Sequence, residues 1–202
     1  MGSKPLLRAV IVPGNGSGGD ISRCNFYGWL ADKLAASGLY SEVLLRNMPD
    51  PQNARRSIWL PFMLNELRAD ENTVVIGHSS GAAAGLRLLE AHRLAGAVII
   101  SPYHTHLGSQ SELISGYFPT GDGGPFDGGP WQWQEIVDNA GGNIILVHSD
   151  NDPFIALREA KHVASSLSAC DPSDQCELRV VPGASHFFEP HQELLDAALF
   201  VA

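Results

Sequence analysis

The stretch that most constrains this chain is Thr73 to Arg87, TVVIGHSSGAAAGLR. Thr73-Val74-Val75-Ile76 is a short apolar, β-branched run of the kind that forms a buried strand. It turns through Gly77-His78-Ser79-Ser80-Gly81 and continues as an Ala/Leu-rich run of high helix propensity, to about His92. Strand, G-x-S-x-G, helix is the pattern of a nucleophile elbow. Reversing the chain this sharply strains the central residue. It also crowds the positions two before and two after it, which Gly77 and Gly81 leave empty. Ser79 is then lifted above the sheet with its hydroxyl exposed. The Ser80 amide sits at the helix N-terminus, where unpaired donors and the helix dipole favour a developing oxyanion. Were Ser80 the central residue, the bulky His78 would have to fill the crowded position, so Ser79 is the better nucleophile.

Around this stretch the chain alternates short apolar runs with helical ones. The strands are expected at 8–12, 41–45, 73–76, 96–101, 143–148 and 177–181. The helices are expected at 26–36, from Asn53 as a possible N-cap through Leu67, from the elbow to about His92, at 131–140, 157–167 and 190–201. Pro61 should kink the second helix or limit its first part. Residues 102–130 read as irregular, with a Gly/Pro-rich run from about Thr120 to Gly129. Such a pattern predicts an α/β fold of about six parallel strands with helices on both faces, one domain over residues 1–202. With the elbow strand central, the spatial order is 2-1-3-4-5-6. The ligand site of such a sheet lies beyond the carboxyl ends of its strands.

Three chemically complementary residues fall at those ends. Ser79 follows the third strand, Asp150-Asn151-Asp152-Pro153-Phe154 the fifth, and Ser185-His186-Phe187 the sixth. Ser, Asp, His is the chain order of a catalytic triad on this kind of sheet. His186 would take the Ser79 proton and return it to a leaving group, and a carboxylate would orient and stabilise the imidazolium. Asp152, which lies farther into the loop before Pro153-Phe154, suits that carboxylate better than Asp150, a candidate turn residue or N-cap.

Pro13-Gly14-Asn15-Gly16-Ser17-Gly18-Gly19 follows the first strand. Read as a phosphate loop, it aligns only approximately with G-x-G-x-x-G, and Arg46-Asn47 stands where an acidic residue would end strand 2. Read as an oxyanion loop, it offers the amide of Asn15, or of its neighbour Gly16, to pair with that of Ser80. The second reading accounts for the close backbone approach. Gly14, Gly16 and His78 border the same site, and Trp131, Trp133 and Phe187 are candidate pocket walls or core aromatics, as are Tyr103, Tyr117 and Phe118. His104-x-His106 lacks a helpfully spaced third ligand, so neither metal nor cofactor is expected.

The chain has 202 residues and a formal net charge of −9. It has no basic face for nucleic acid and no apolar run near the ~20 residues of a membrane span. Met1 to Leu7 is too short to be a signal peptide and lacks the myristoylation pattern. Cys24, Cys170 and Cys176 make no disulfide framework, which reads as a reducing, cytoplasmic setting. Cys170 and Cys176 either pair under oxidation or stand as thiols.

The segments VIVPGNG (10–16), NMPDP (47–51), ARRSIWLPFM (54–63), IGHSSGA (76–82), SGYF (115–118), PWQW (130–133), DPF (152–154) and HF (186–187) resemble, in order, the retinoblastoma-binding protein 9 family of small serine hydrolases within the α/β-hydrolase superfamily. The resemblance runs over nearly the whole chain. It implies a compact hydrolase without a large cap domain, with Ser79, Asp152 and His186 at the family's catalytic positions. It also implies activity on small esters and amides, aminoacyl derivatives included. The vertebrate L-x-C-x-E motif is matched by Leu67-Arg68-Ala69-Asp70-Glu71, with Ala69 in place of Cys, which argues against binding the retinoblastoma protein. The Gly/Pro-rich insertion is expected to edge the active-site mouth. The competing reading is a non-catalytic protein-interaction module on the same scaffold.

Overall fold

A computed structural model describes residues 7–171 and 176–202. The N-terminal reading of residues 1–6 and the centre of the Cys170–Cys176 loop lie outside the described residues. Six strands, β1 (Leu7–Val12), β2 (Tyr40–Leu45), β3 (Thr73–His78), β4 (Gly96–Ile100), β5 (Ile144–Ser149) and β6 (Glu177–Val181), form one sheet in the order β2-β1-β3-β4-β5-β6. Every pairing is parallel. β3 lies inside the sheet, which is why all six of its residues are buried and its sequence is continuously apolar rather than alternating.

Period-two geometry sorts the strand side chains onto two faces. Val10, Val12, Val75, Ala97, Ile99, Ile144 and Leu146 face helices α2 (Arg56–Asn65), α3 (Ser80–Leu89), α5 (Trp133–Ala140) and α6 (Leu157–Ser168). Ala9, Ile11, Val74, Ile76, Val98, Ile100, Ile145 and Val147 face α1 (Tyr27–Ser37) and α7 (Gln192–Phe200). α1 stops at Gly38, which takes the left-handed conformation with φ 71°. α2 starts later than expected. Asn53 does not cap it but donates to Asp50 Oδ1 (3.1 Å), and the same carboxylate receives the amide and Nε of Arg55. The helix then runs through Pro61 to Asn65.

The segment 102–130 is not wholly irregular: it contains a short helix, α4 (Gln110–Ser115). Its six residues are too few to display a helical period. The Gly/Pro-rich insertion is folded around Asp127, whose carboxylate accepts the amides of Thr120, Gly123 and Gly129 at 2.9–3.0 Å. Those bonds, that of Thr120 foremost, pull its pKa down to about 2. Contrary to expectation, the insertion contributes no residue to the lining of the cavity that holds Ser79. Pro125, Phe126 and Asp127 line a separate cleft against the start of α2. Cys24, Cys170 and Cys176 stand as thiols. Among the described residues no helix is long and apolar enough to cross a membrane.

Candidate active site

The tight turn between β3 and α3 holds Ser79 at φ 55°, ψ −119°, a conformation costing a non-glycine residue about 1–3 kcal/mol. The neighbouring packing enforces it. A Cβ on Gly77 would run into the Gly81 carbonyl, and one on Gly81 into the carbonyls of Val12 and Pro13. The Ser79 amide is tied to the Ile100 carbonyl at the end of β4 (3.0 Å), and its own carbonyl accepts from Ala82 (2.8 Å). Ser79 is 9% exposed and lines a cavity.

Asp152 lies in the loop after β5 with its carboxylate fully shielded from solvent. Oδ2 accepts from His186 Nδ1 (2.7 Å) and from Ser101 Oγ (3.1 Å). Oδ1 accepts the amides of Phe154 (2.9 Å) and Ile155 (3.0 Å). Burial alone would raise this carboxyl's pKa. The hydrogen bond and charge of His186, with the two amides, outweigh it and hold the group below the usual carboxylate range. The bond to an ionised Asp152 places a proton on His186 Nδ1, and in the neutral ring that tautomer leaves the Nε2 lone pair to accept one. The two loops are pinned to each other. Asp150 Oδ1 accepts the Gly183 amide and Asn151 Oδ1 the Ser185 amide, both at 2.8 Å. Asp150 therefore acts as a turn residue beneath the His186 loop. Ser79 and His186 line one cavity of about 440 Å³. Among the described residues their side chains are not hydrogen-bonded to each other, and such contacts commonly tighten only when substrate arrives.

The loop after β1 presses on the elbow. A Cβ on Gly14 would lie 3.1 Å from Ser79 Cβ. Two of its amides are occupied: Gly14 N–H donates to the Tyr27 hydroxyl (2.9 Å) and Gly16 N–H to the Pro51 carbonyl (2.7 Å). Among the described residues the Asn15 amide has no partner. The Ser80 amide, first in α3, has no intrahelical acceptor.

His78 borders the cavity but is only 2% exposed. Its Nε2 lies 3.1 Å from the His186 carbonyl, which can only accept, so that nitrogen carries the proton. Nδ1 then accepts from the Tyr27 hydroxyl at 2.7 Å. A chain of bonds thus runs from Gly14 through Tyr27 and His78 to the backbone of His186. Burial, reinforced by the neighbouring His186, lowers the His78 pKa from 6.5 to about 3, so the ring stays neutral.

Among the described residues Glu112, from α4, is the only carboxylate lining the cavity. It accepts from Tyr103 Oη (2.6 Å) and Asn15 Nδ2 (3.3 Å). Burial raises its pKa, against the pull of those two bonds and of His186. No motif marks Glu112, Ser101 or Tyr27 in the sequence. The strand-4 end GAVIIS was the one usable signal, for Ser101.

Gly14, Asn15, His78 and Tyr103 line the cavity, whereas Gly16, Trp131, Trp133, Tyr117, Phe118 and Phe187 do not. Trp131 and Trp133 stack on each other at 5.3 Å, and Trp131 covers the Arg87 guanidinium at 3.8 Å. Phe187, with φ 52°, turns into the α1/α7 face of the core. Phe154 and Phe188 stand at the cavity instead.

A parallel sheet in this order, with a strained Ser at the elbow, defines the α/β-hydrolase class. Among solved structures the ydeN gene product of B. subtilis matches with a TM-score of 0.76 at 23% identity, covering 96% of this chain and 98% of that one. The sequence matches the family described as Serine hydrolase over residues 9–187. It is 44% identical over 162 residues to Serine hydrolase RBBP9 of Rattus norvegicus, covering 80% of this chain and 81% of the relative. It is 26% identical over 170 residues to Putative hydrolase YdeN of Bacillus subtilis, covering 82% and 79% respectively. The chain belongs to the serine hydrolase family and is an enzyme of the small, RBBP9-like kind.

Proposed function

We propose that the chain cleaves small esters or amides through a Ser79-His186-Asp152 triad and a covalent acyl-enzyme. The observation that carries this reading is the 2.7 Å bond from a solvent-shielded Asp152 to His186, in the cavity that Ser79 lines. Ser79 Oγ attacks the substrate carbonyl carbon as its proton passes to His186 Nε2. The resulting oxyanion is received by the amides of Asn15 and Ser80. On collapse the carbonyl–leaving-group bond breaks and His186 gives its proton to the departing oxygen or nitrogen. Water then attacks the acyl group by the same proton path, releasing the acid and restoring Ser79. Asp152 stays ionised throughout.

Aminoacyl substrates fall within this range, because the Glu112 carboxyl at the cavity wall offers an acceptor for a substrate amino group. The stretch Leu67-Arg68-Ala69-Asp70-Glu71 gives no support to retinoblastoma-protein binding: it lacks the motif cysteine, and Leu67 and Ala69 are buried. The intact protein should take one fluorophosphonate adduct at Ser79, lost in Ser79→Ala and retained in Ser80→Ala, as read by intact mass and peptide mapping. A folded wild type that takes no adduct would return the weight to a non-catalytic interaction module.

A further inference from the structure

The large hydrophobic side chains exposed among the described residues are Leu39, Phe126, Phe154, Val180, Phe188 and Phe200. Scattered singly, such residues are ordinary. Phe154 and Phe188, at 63% and 45% exposure, differ in position, because both line the cavity that holds Ser79 and His186. Their rings meet edge to face, with centroids 6.0 Å apart at 88°. Each also contacts the His186 imidazole, at 5.1 Å for Phe154 and 5.7 Å for Phe188. The pair is built into the loops that carry the acid and the base. Phe154 is anchored through its amide on Asp152 Oδ1, and Phe188 follows His186 by two residues. The lining contributed by Asn15, Ser109, Ser111 and Glu112 is polar. Aromatic surface is thus left open beside His186, where substrate must pass.

We propose that Phe154 and Phe188 form an aromatic rim that selects an apolar, ring-bearing leaving group. The inference rests on the triad reading above and adds the side of the scissile bond. His186 must hand its proton to the departing atom, so that atom comes within hydrogen-bond reach of the imidazole. Whatever it carries then lies over the surface flanking His186, where His78 is buried and the exposed aromatic area is that of the two phenyl rings. A flexible alkoxide or amine without apolar area gains nothing there. An aromatic ring finds partners for offset or edge-to-face contact and covers area that is otherwise wet.

The test moves one ring across the scissile bond. Benzyl butyrate carries it on the leaving group and methyl 4-phenylbutyrate on the acyl group. The wild type should prefer benzyl butyrate in kcat/KM. In Phe154→Leu and Phe188→Leu the ratio of kcat/KM on benzyl butyrate to that on methyl 4-phenylbutyrate should fall by about threefold to tenfold per ring, chiefly through KM. Both side chains are exposed and the Leu variants keep apolar bulk, so folding is preserved; a circular-dichroism melt checks this. An unchanged ratio, a fall on the acyl-ring ester alone, or a wild type that labels at Ser79 yet hydrolyses neither ester would overturn the rim. Failure to label at Ser79 would instead overturn the triad reading on which it rests.

Discussion

His78 occupies the variable position of G-x-S-x-G, where the motif sets no residue type. Here it bridges Tyr27 and the His186 backbone, and through Tyr27 it reaches Gly14 in the loop that offers the Asn15 amide. That role requires a neutral ring with one donor and one acceptor. Its folded pKa of about 3 lies below the 6.5 of an unconstrained imidazole. Between those values the unfolded chain binds a proton that the folded chain refuses. The stability held at neutral pH is therefore lost as pH falls from about 6.5 towards 3, at up to ~1.4 kcal/mol per pH unit. A Gln amide can donate to the His186 carbonyl and accept from Tyr27 without titrating. In urea melts His78→Gln should be measurably flatter than the wild type between pH 6.5 and 4.5. Parallel curves would show that His78 is not the group responsible.

At the scale of elements, α3 is buried along its whole length, and Arg87 inside it is 2% exposed. Burial lowers its pKa, while Glu90, 2.6 Å from Nη1, keeps the charge compensated. Nε donates to the Tyr117 carbonyl and Nη2 to that of Gly129, both at 2.8 Å, with Trp131 stacked over the plane. One guanidinium thereby fastens the 102–130 segment, insertion included, to the elbow helix. Removing one partner of a buried pair strands the other, at a cost of about 3–5 kcal/mol. Arg87→Met should lose that much in a urea titration with the m-value retained. A loss under about 1 kcal/mol would mean that water replaces the guanidinium. These contacts also explain why Trp131 and Trp133 are aromatic without facing the cavity.

At the scale of the molecule, both apolar layers pack on one sheet, and each central strand contributes to both. Neither layer can melt without exposing the other's strands. We therefore expect residues 1–202 to unfold as one domain. Tryptophan fluorescence and far-ultraviolet circular dichroism should give coincident urea transitions. Trp59, Trp131 and Trp133 report the α2/α3 face and Trp29 the opposite one, so two separated transitions would overturn the expectation.

What the amino-acid sequence determined by itself was local and periodic. Apolar runs of strand length alternating with helical ones led to the sheet order β2-β1-β3-β4-β5-β6. Two glycines bracketing a serine marked the elbow, since no side chain fits where their Cβ atoms would stand. The strand ends at which Ser79, Asp152 and His186 stand could be counted off along the chain. Only the tertiary structure decided what joins residues distant in sequence: Ser101 to Asp152, Asn15 to Glu112, Tyr27 to His78. It also chose between neighbours of equal chemistry. Phe187 enters the core and Phe188 the cavity rim because Ser185 and Phe187 adopt positive φ in a loop held by Asp150 and Asn151. Hydrophobicity assigns both phenylalanines the same value; the direction each one faces is a property of the backbone that the two loops build together.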